Sequence, residues 1–293
     1  MFMTWLLANI VKLLCWLVAC LPRRVQIFVG KTLGLVWFYI VPIRRKVALE
    51  NLSVAFPEKN ISEIWKLARV NFQNYGCGFV ELLLLPHFDK KMFDKLVVRH
   101  DWENYENAKS KGKGVFFLTL HMGSWELMSA TQAHLGIPLH VITKKFKART
   151  FNSIWVELRL GQGIQLISEE KSTFQILRAI RKGEVVGFIL DQFMGPPVGS
   201  RVRFFGKETG APAALALFAD RTRAPVVPVY NIHGDDGRIH IYCEPEVPFV
   251  EQGSMKQNIS FMTQAYTSKI EDIVRRHPEQ WLWIHRRWKP FRE

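Results

Sequence analysis

Two continuous apolar runs, Val115–Leu120 and Val185–Leu190, each stop abruptly at polar residues: His121 after the first, Asp191-Gln192 after the second. Runs of this length without polar alternation predict strands buried on both faces. After the first run, SWELMSATQAHLG reads as a helix with Ser124 at its N-cap. From Gly114 onward strand-like and helix-like stretches alternate. They comprise a strand at Leu139–Thr143, a helix near Arg149–Gly161, a strand at Gln165–Ile167, a helix around Ser172–Lys182 and a Gly/Pro loop at Gly195–Gly199. An Ala-rich helix at Ala211–Arg223, strands at Val226–Ile232 and Ile239–Cys243, and a helix near Gln257–Arg276 complete the series. The alternation predicts an α/β fold, a mostly parallel central sheet flanked by helices.

The N-terminal quarter has a different texture. Residues 2–22 carry Asn9 and Lys12 as their only amide or charged side chains, and Arg23-Arg24 follow. Ile27–Ile43 is again apolar and aromatic, interrupted by Lys31 and closed by Arg44-Arg45-Lys46. This predicts an N-terminal membrane-associated helical segment, with the basic clusters on the cytoplasmic side. Spanning the bilayer and lying in its interface both remain open, as does burial of both stretches as ordinary core helices. A cleaved signal is disfavoured, since no basic region precedes the apolar run and arginines stand where small residues should. From Lys46 to about His87 the pattern is helical, with Pro57 as a turn and Ser62-Glu63 as a cap. No linker or repeat divides the rest. The expected division is residues 1–46 as a membrane-anchoring or interfacial segment and residues 47–293 as one catalytic domain.

Composition narrows the partners. With 48% hydrophobic residues over 293, the chain is too apolar for disorder. The net charge of +14, from 40 Lys+Arg against 26 Asp+Glu, fits a polyanionic partner. Ten Trp and twenty-one Phe shift that reading from nucleic acid towards lipid. Cys15, Cys20, Cys77 and Cys243 form neither CxxC nor a metal-like set and are expected to be reduced and packed; no metal site is expected.

His121 and Glu126 are five residues apart, ~140° round a regular helix, so one helix would hold them poorly. A strand end followed by a helix start lets them converge. If the two apolar strands are parallel, His121, Glu126 and Asp191 surround one cleft at the carboxyl ends of the sheet. A His beside a carboxylate is a general base near neutral pH. No Ser sits in a G-x-S-x-G elbow, so the base suits a hydroxyl belonging to the substrate. Such a His–Glu spacing also arises by chance, and an Asp after an apolar run is often a cap or loop residue.

Beyond these residues, HMGSWE (His121–Glu126) resembles the His-x-x-x-x-Asp/Glu motif of lysophospholipid-type acyltransferases. Together with NLSVAFPE (Asn51–Glu58), NYGCGFVE (Asn74–Glu81), LDQFMG (Leu190–Gly195), VRFFGKETGAP (Val202–Pro212) and PEQWLWIHRRWK (Pro278–Lys289), it resembles the bacterial lipid A late acyltransferases, the lauroyl/myristoyl transferase family. The blocks stand in the family's order and cover nearly the whole chain.

The resemblance implies transfer of a fatty acyl group from acyl carrier protein, or acyl-CoA, to a hydroxyl of a lipid A precursor, with no cofactor beyond that co-substrate. It implies a base role for His121 supported by Glu126, and an arginine near the reacting centre. Arg159, in VELRLGQG, matches that arginine best and Arg149 competes. Asp191 and Gln192 stand at a family-like site position, Gln192 as a substrate-binding residue. Arg286 and Arg287, in the basic tail, would dock anionic substrate, while the same run also reads as a solvated face, and Trp281, Trp283 and Trp288 as core anchors. Phe204-Phe205-Gly206 is either packing or part of an acyl tunnel. The implied location is the cytoplasmic face of a Gram-negative inner membrane, with no nucleic acid partner. Alternatives are the same reaction on another polar lipid such as a phosphatidylinositol mannoside, thioester hydrolysis, and a non-enzymatic membrane or nucleic-acid binder.

Overall fold

The computed structural model describes residues 2–143, 149–168 and 172–291. Helices α1 (Phe2–Cys20), α2 (Arg23–Tyr39), α3 (Arg45–Ala55) and α4 (Ile61–Leu82) come first, then a 3-10 turn (Leu85–His87) and α5 (Lys90–Leu96). Strand β1 (Val97–His100) and α6 (Glu103–Lys109) precede the alternating part: β2 (Val115–Thr119), α7 (Trp125–His134), β3 (Leu139–Thr143), α8 (Arg149–Leu160), β4 (Gln165–Ser168), α9 (Ser172–Arg181) and β5 (Val185–Ile189). A hairpin, β6 (Gly199–Phe204) and β7 (Lys207–Pro212), leads to α10 (Ala214–Thr222), β8 (Val226–His233), β9 (Ile239–Cys243) and α11 (Met255–Arg276).

Seven strands form one sheet in the order β1-β9-β8-β2-β5-β3-β4. From β8 to β4 all neighbours are parallel, and β9 turns back antiparallel to β8. Every residue of β2 is buried, as its unbroken apolar run requires. Successive side chains point to opposite faces, so Phe116 and Leu118 enter one core and Val115 and Phe117 the other. The expected α/β fold with a mostly parallel, helix-flanked sheet is what the chain adopts.

The N-terminal helices are tied to this body by glycine. A Cβ on Gly76 of α4 would lie 2.0 Å from the Gly30 carbonyl oxygen, and one on Gly34 of α2 would lie 2.2 Å from that of Phe72. The two backbones touch with no side chain between them, which only glycine permits. The other side of the N-terminal helices is bare: Leu13, Trp16, Phe28, Leu33 and Tyr39 are exposed. Among the described residues, no helix is long and apolar enough to cross a membrane.

Several local expectations are corrected. Asn60, not Ser62, caps α4, its side chain accepting from the Glu63 N–H in a reciprocal capping box. The helix expected from Ala211 begins at Ala214, because Lys207–Pro212 pairs with β6. Strand β1 was not anticipated. Cys15, Cys77 and Cys243 are buried, whereas Cys20 is exposed; all four are free.

Candidate active site

Strands β2 and β5 are parallel with Thr119 opposite Ile189. His121 and Asp191 each lie two residues beyond that matched pair, so the register itself delivers them to the same end of the sheet. Asp191 Oδ2 accepts from the backbone N–H of His121 at 2.7 Å, and Asp191 Oδ1 lies 2.8 Å from the ring Nδ1. The indole Nε1 of Trp281 donates to Oδ2 at 2.8 Å. Three hydrogen bonds from two residues thus fix a carboxylate that is almost wholly buried.

Burial alone would raise the Asp191 pKa, but the His121 charge and hydrogen bonds, with that of Trp281, hold it down at about 2. Burial likewise opposes charge on His121, yet Asp191, with a smaller contribution from Glu126, outweighs it and raises the imidazole above its ordinary range, against the pull of Arg159. An ionised Asp191 makes Nδ1 the protonated nitrogen and leaves Nε2 as the basic one.

The turn between strand and helix is held from beneath. Gly123 has φ 55°, and a Cβ there would come 2.5 Å from Asn231 Oδ1. That same oxygen accepts the Ser124 N–H at 2.7 Å, while Asn231 Nδ2 donates to the Met122 carbonyl at 3.0 Å. Ser124 does occupy the N-cap of α7, but its side chain makes no cap hydrogen bond. On the far side the C-terminal segment runs antiparallel to the turn, with Leu282 N–H donating to the His121 carbonyl at 3.0 Å.

Glu126, in the first turn of α7, is buried and grips Arg159 of α8: Nε donates to Oε2 at 2.9 Å and Nη2 to Oε1 at 2.6 Å. Arg159 Nη1 reaches Thr143 Oγ1 at 3.2 Å, and its guanidinium lies 5.2 Å from the centre of the Trp155 ring. The carboxylate bonded to the His121 ring is therefore Asp191, and Glu126 serves Arg159. Beside them opens an apolar pocket of about 100 Å³, walled by Trp37, Phe79, Trp125, Trp155 and Ile284. A smaller cavity of about 30 Å³ shares Trp125 and Glu126 with it and runs under α7 past Met128, Val141 and Gly187.

His121, Glu126, Arg159 and Asp191 thus come together. Gln192 is exposed next to Asp191. Arg149 opens α8, and its side chain lies outside the described residues. Arg286 is exposed, but Arg287 is not the docking cation expected of it. It is 1% exposed, donates to the Gly210 carbonyl at 2.5 Å and to Thr209 Oγ1 at 3.1 Å, and burial lowers its pKa to about 10. Phe204 and Phe205 pack against Trp281 and Trp283 as core. Neither lines either pocket.

Sequence reasoning missed Trp281, Asn231 and His285. The sequence offers Trp281 as a core anchor within the basic tail, and an indole N–H in a buried place also needs an acceptor, which here is Asp191. His285 Nε2 accepts the Phe193 N–H at 3.0 Å, which steadies the loop after Asp191, and burial lowers its pKa to about 4, keeping it neutral.

A family model described as bacterial lipid A biosynthesis acyltransferase matches residues 1–290. The chain is similar to an Escherichia coli lipid A biosynthesis palmitoleoyltransferase, 26% identical across 94% of this chain and 88% of that protein. It is also similar to the lipid A biosynthesis lauroyltransferase of the same organism, 24% identical across 98% and 92%. A Haemophilus influenzae lipid A biosynthesis acyltransferase is 22% identical across 92% and 83%.

Proposed function

The chain belongs to the bacterial lipid A biosynthesis acyltransferase family, and on that premise we propose that it carries a fatty acyl group from acyl carrier protein, or acyl-CoA, to a hydroxyl of a lipid A precursor. His121 is the general base. Its Nε2 takes the acceptor hydroxyl proton, the oxygen attacks the thioester carbonyl, and collapse of the tetrahedral intermediate breaks the C–S bond. The imidazolium then protonates the departing thiolate. No covalent acyl-enzyme is needed.

The observation that carries this reading is the grip of Asp191 on both the backbone and the ring of His121. It fixes tautomer and orientation and stabilises the imidazolium, as the third member of a triad does for a serine hydrolase. Glu126 acts through its charge and by holding Arg159, whose cation favours the developing oxyanion. The apolar pocket beside them suits the acyl chain, which continues towards Gly187.

Residues 1–46 form the membrane-facing portion in this reading. The exposed apolar side chains of α1 and α2, flanked by Arg23-Arg24 and Arg44–Lys46, support attachment at the cytoplasmic face of the inner membrane. Residues 47–293 form the catalytic domain. The test supplies carrier-protein and CoA thioesters with lipid acceptors and follows products by mass spectrometry. His121→Ala should keep membrane attachment and lose acyl transfer; undiminished transfer would refute the assignment, and fatty acid release without an acylated lipid would make the protein a thioesterase.

A further inference from the structure

Two basic clusters about 240 positions apart in sequence meet in one groove. Its volume is about 730 Å³, and Arg44 and Lys46, at the N-cap and first turn of α3, line it together with Arg286 and Lys289 from the C-terminal tail. Arg44 takes φ 61°, in the left-handed region, and its Nη1 donates to the Ile284 carbonyl at 3.2 Å, tying the two clusters together. Arg45 between them is turned away, donating to the Phe38 carbonyl at 2.7 Å and lying over the Phe38 and Trp65 rings. Glu50 is the one carboxylate among the described lining residues, 3.8 Å from Lys46. Among the described lining residues, four cations stand against one anion, an excess of positive charge on a concave surface.

The position of the groove indicates what supplies that charge. Leu282 and Ile284 of the tail line the apolar pocket beside Glu126, and Arg286 and Lys289 of the same tail line the groove, so the two hollows adjoin along one short segment. On the other side, Ile40 and Ile43 are 72% and 62% exposed immediately before Arg44. Cations that directly follow exposed apolar residues sit at the depth where lipid phosphates lie.

We propose that this groove binds a phosphate group of the lipid acceptor, so that Arg44, Lys46, Arg286 and Lys289 choose a phosphorylated glycolipid and set which of its hydroxyls reaches His121. The inference rests on the acyl-transfer reading above. A phosphate monoester offers several acceptor oxygens to guanidinium and ammonium donors, and the groove is a short tail segment away from the reacting centre. An acidic carrier protein is the competing occupant, but the groove opens beside the exposed apolar residues, where a lipid headgroup lies and a soluble protein is crowded out.

The experiment uses the full chain with Arg286→Gln, Lys289→Gln and the double variant, both positions being exposed. KM is measured separately for the phosphorylated acceptor and the thioester donor, and again with the acceptor enzymatically dephosphorylated. Each lost charge should raise the acceptor KM roughly 5- to 10-fold, with the donor KM unchanged. Dephosphorylation should cost the wild type at least as much as the double substitution does, and cost the double variant, which keeps Arg44 and Lys46, less than it costs the wild type. A rise in donor KM instead would make the groove a carrier-protein surface and overturn the proposal. Equal losses on phosphorylated and dephosphorylated acceptor would overturn it too. Binding of both acceptors to His121→Ala reads the same contrast without turnover. Failure of the groove is thereby separated from failure of the acyl-transfer reading.

Discussion

Glu126 gives both carboxylate oxygens to Arg159, at 2.9 and 2.6 Å, with both side chains largely out of water. A fork-on-fork pair of this kind is directional as well as charged. Removing one partner strands the other, which for buried pairs costs about 3–5 kcal/mol. Glu126→Gln and Arg159→Met should each lower stability by an amount in that range. The double substitution should cost clearly less than the two added together. Denaturant titration of the four proteins checks this; additivity would mean the two residues do not act as a unit.

Asp191→Asn should keep the fold and lower kcat about 10²–10⁴-fold, as loss of a tautomer-fixing carboxylate does elsewhere. The pH dependence carries the sign. His121 must be neutral to act as base, and its pKa is raised, so activity should climb with pH through a midpoint above the ordinary 6.5. In Asp191→Asn burial is no longer outweighed, and the midpoint should move to lower pH. The same pairing stabilises the fold fully below the unfolded imidazole pKa, and that contribution is lost as pH rises through the folded one. Asp191's share is present above the ordinary carboxylate range and is lost as pH falls towards about 2.

Trp281→Phe removes one donor to Asp191 and keeps a ring in the core. A hydrogen bond to a charged group contributes about 1.5–3 kcal/mol, so kcat should fall roughly 10-fold with a smaller pH shift than Asp191→Asn produces. A pH–rate profile for the three enzymes measures both.

Gly187 lines the smaller cavity, and a Cβ there would meet only ordinary contacts, 3.6 Å from Leu139 Cδ1 and 3.7 Å from the His140 carbonyl oxygen. Gly187→Ala should therefore change stability by no more than about 0.5 kcal/mol while shifting the preferred acyl chain to a shorter one. Competition between thioesters of graded length reads the shift.

Gly76→Ala should destabilise by about 1–3 kcal/mol, the cost of overpacking a closed contact, because its Cβ has no space beside Gly30. Thermal unfolding would register it. Gly112→Ala, where nothing lies within 4 Å, is the control for close contact, although its φ of 69° makes it strained by itself.

The strands that build the site were legible because full burial on both faces leaves an unbroken apolar run, and such runs end sharply where the polar site begins. Val115–Leu120 and Val185–Leu190 therefore announced both His121 and Asp191. Which carboxylate meets His121 was not legible, since that depends on the β2–β5 register, a contact between segments about 70 residues apart. Glu126 is nearer to His121 in sequence, yet its carboxylate pairs with Arg159. The hairpin Gly199–Pro212 was hidden for a different reason. Its turn places Phe205 at φ 51°, a conformation no sequence rule assigns to phenylalanine, and packing against Phe56 and Trp283 holds it there. Arg287 looked like its neighbour Arg286, and only the fold distinguishes a cation facing water from one filling a hole under β7.

The glycine contact between α2 and α4 has a mechanical consequence. Backbones in direct touch have no side chains to yield, so α2 keeps a fixed tilt against α4. If the exposed outer face of α2 meets lipid, as proposed above, that crossing would work as a depth gauge. Such a gauge would set the level of His121 relative to the bilayer through the backbone alone, independent of any side-chain rearrangement.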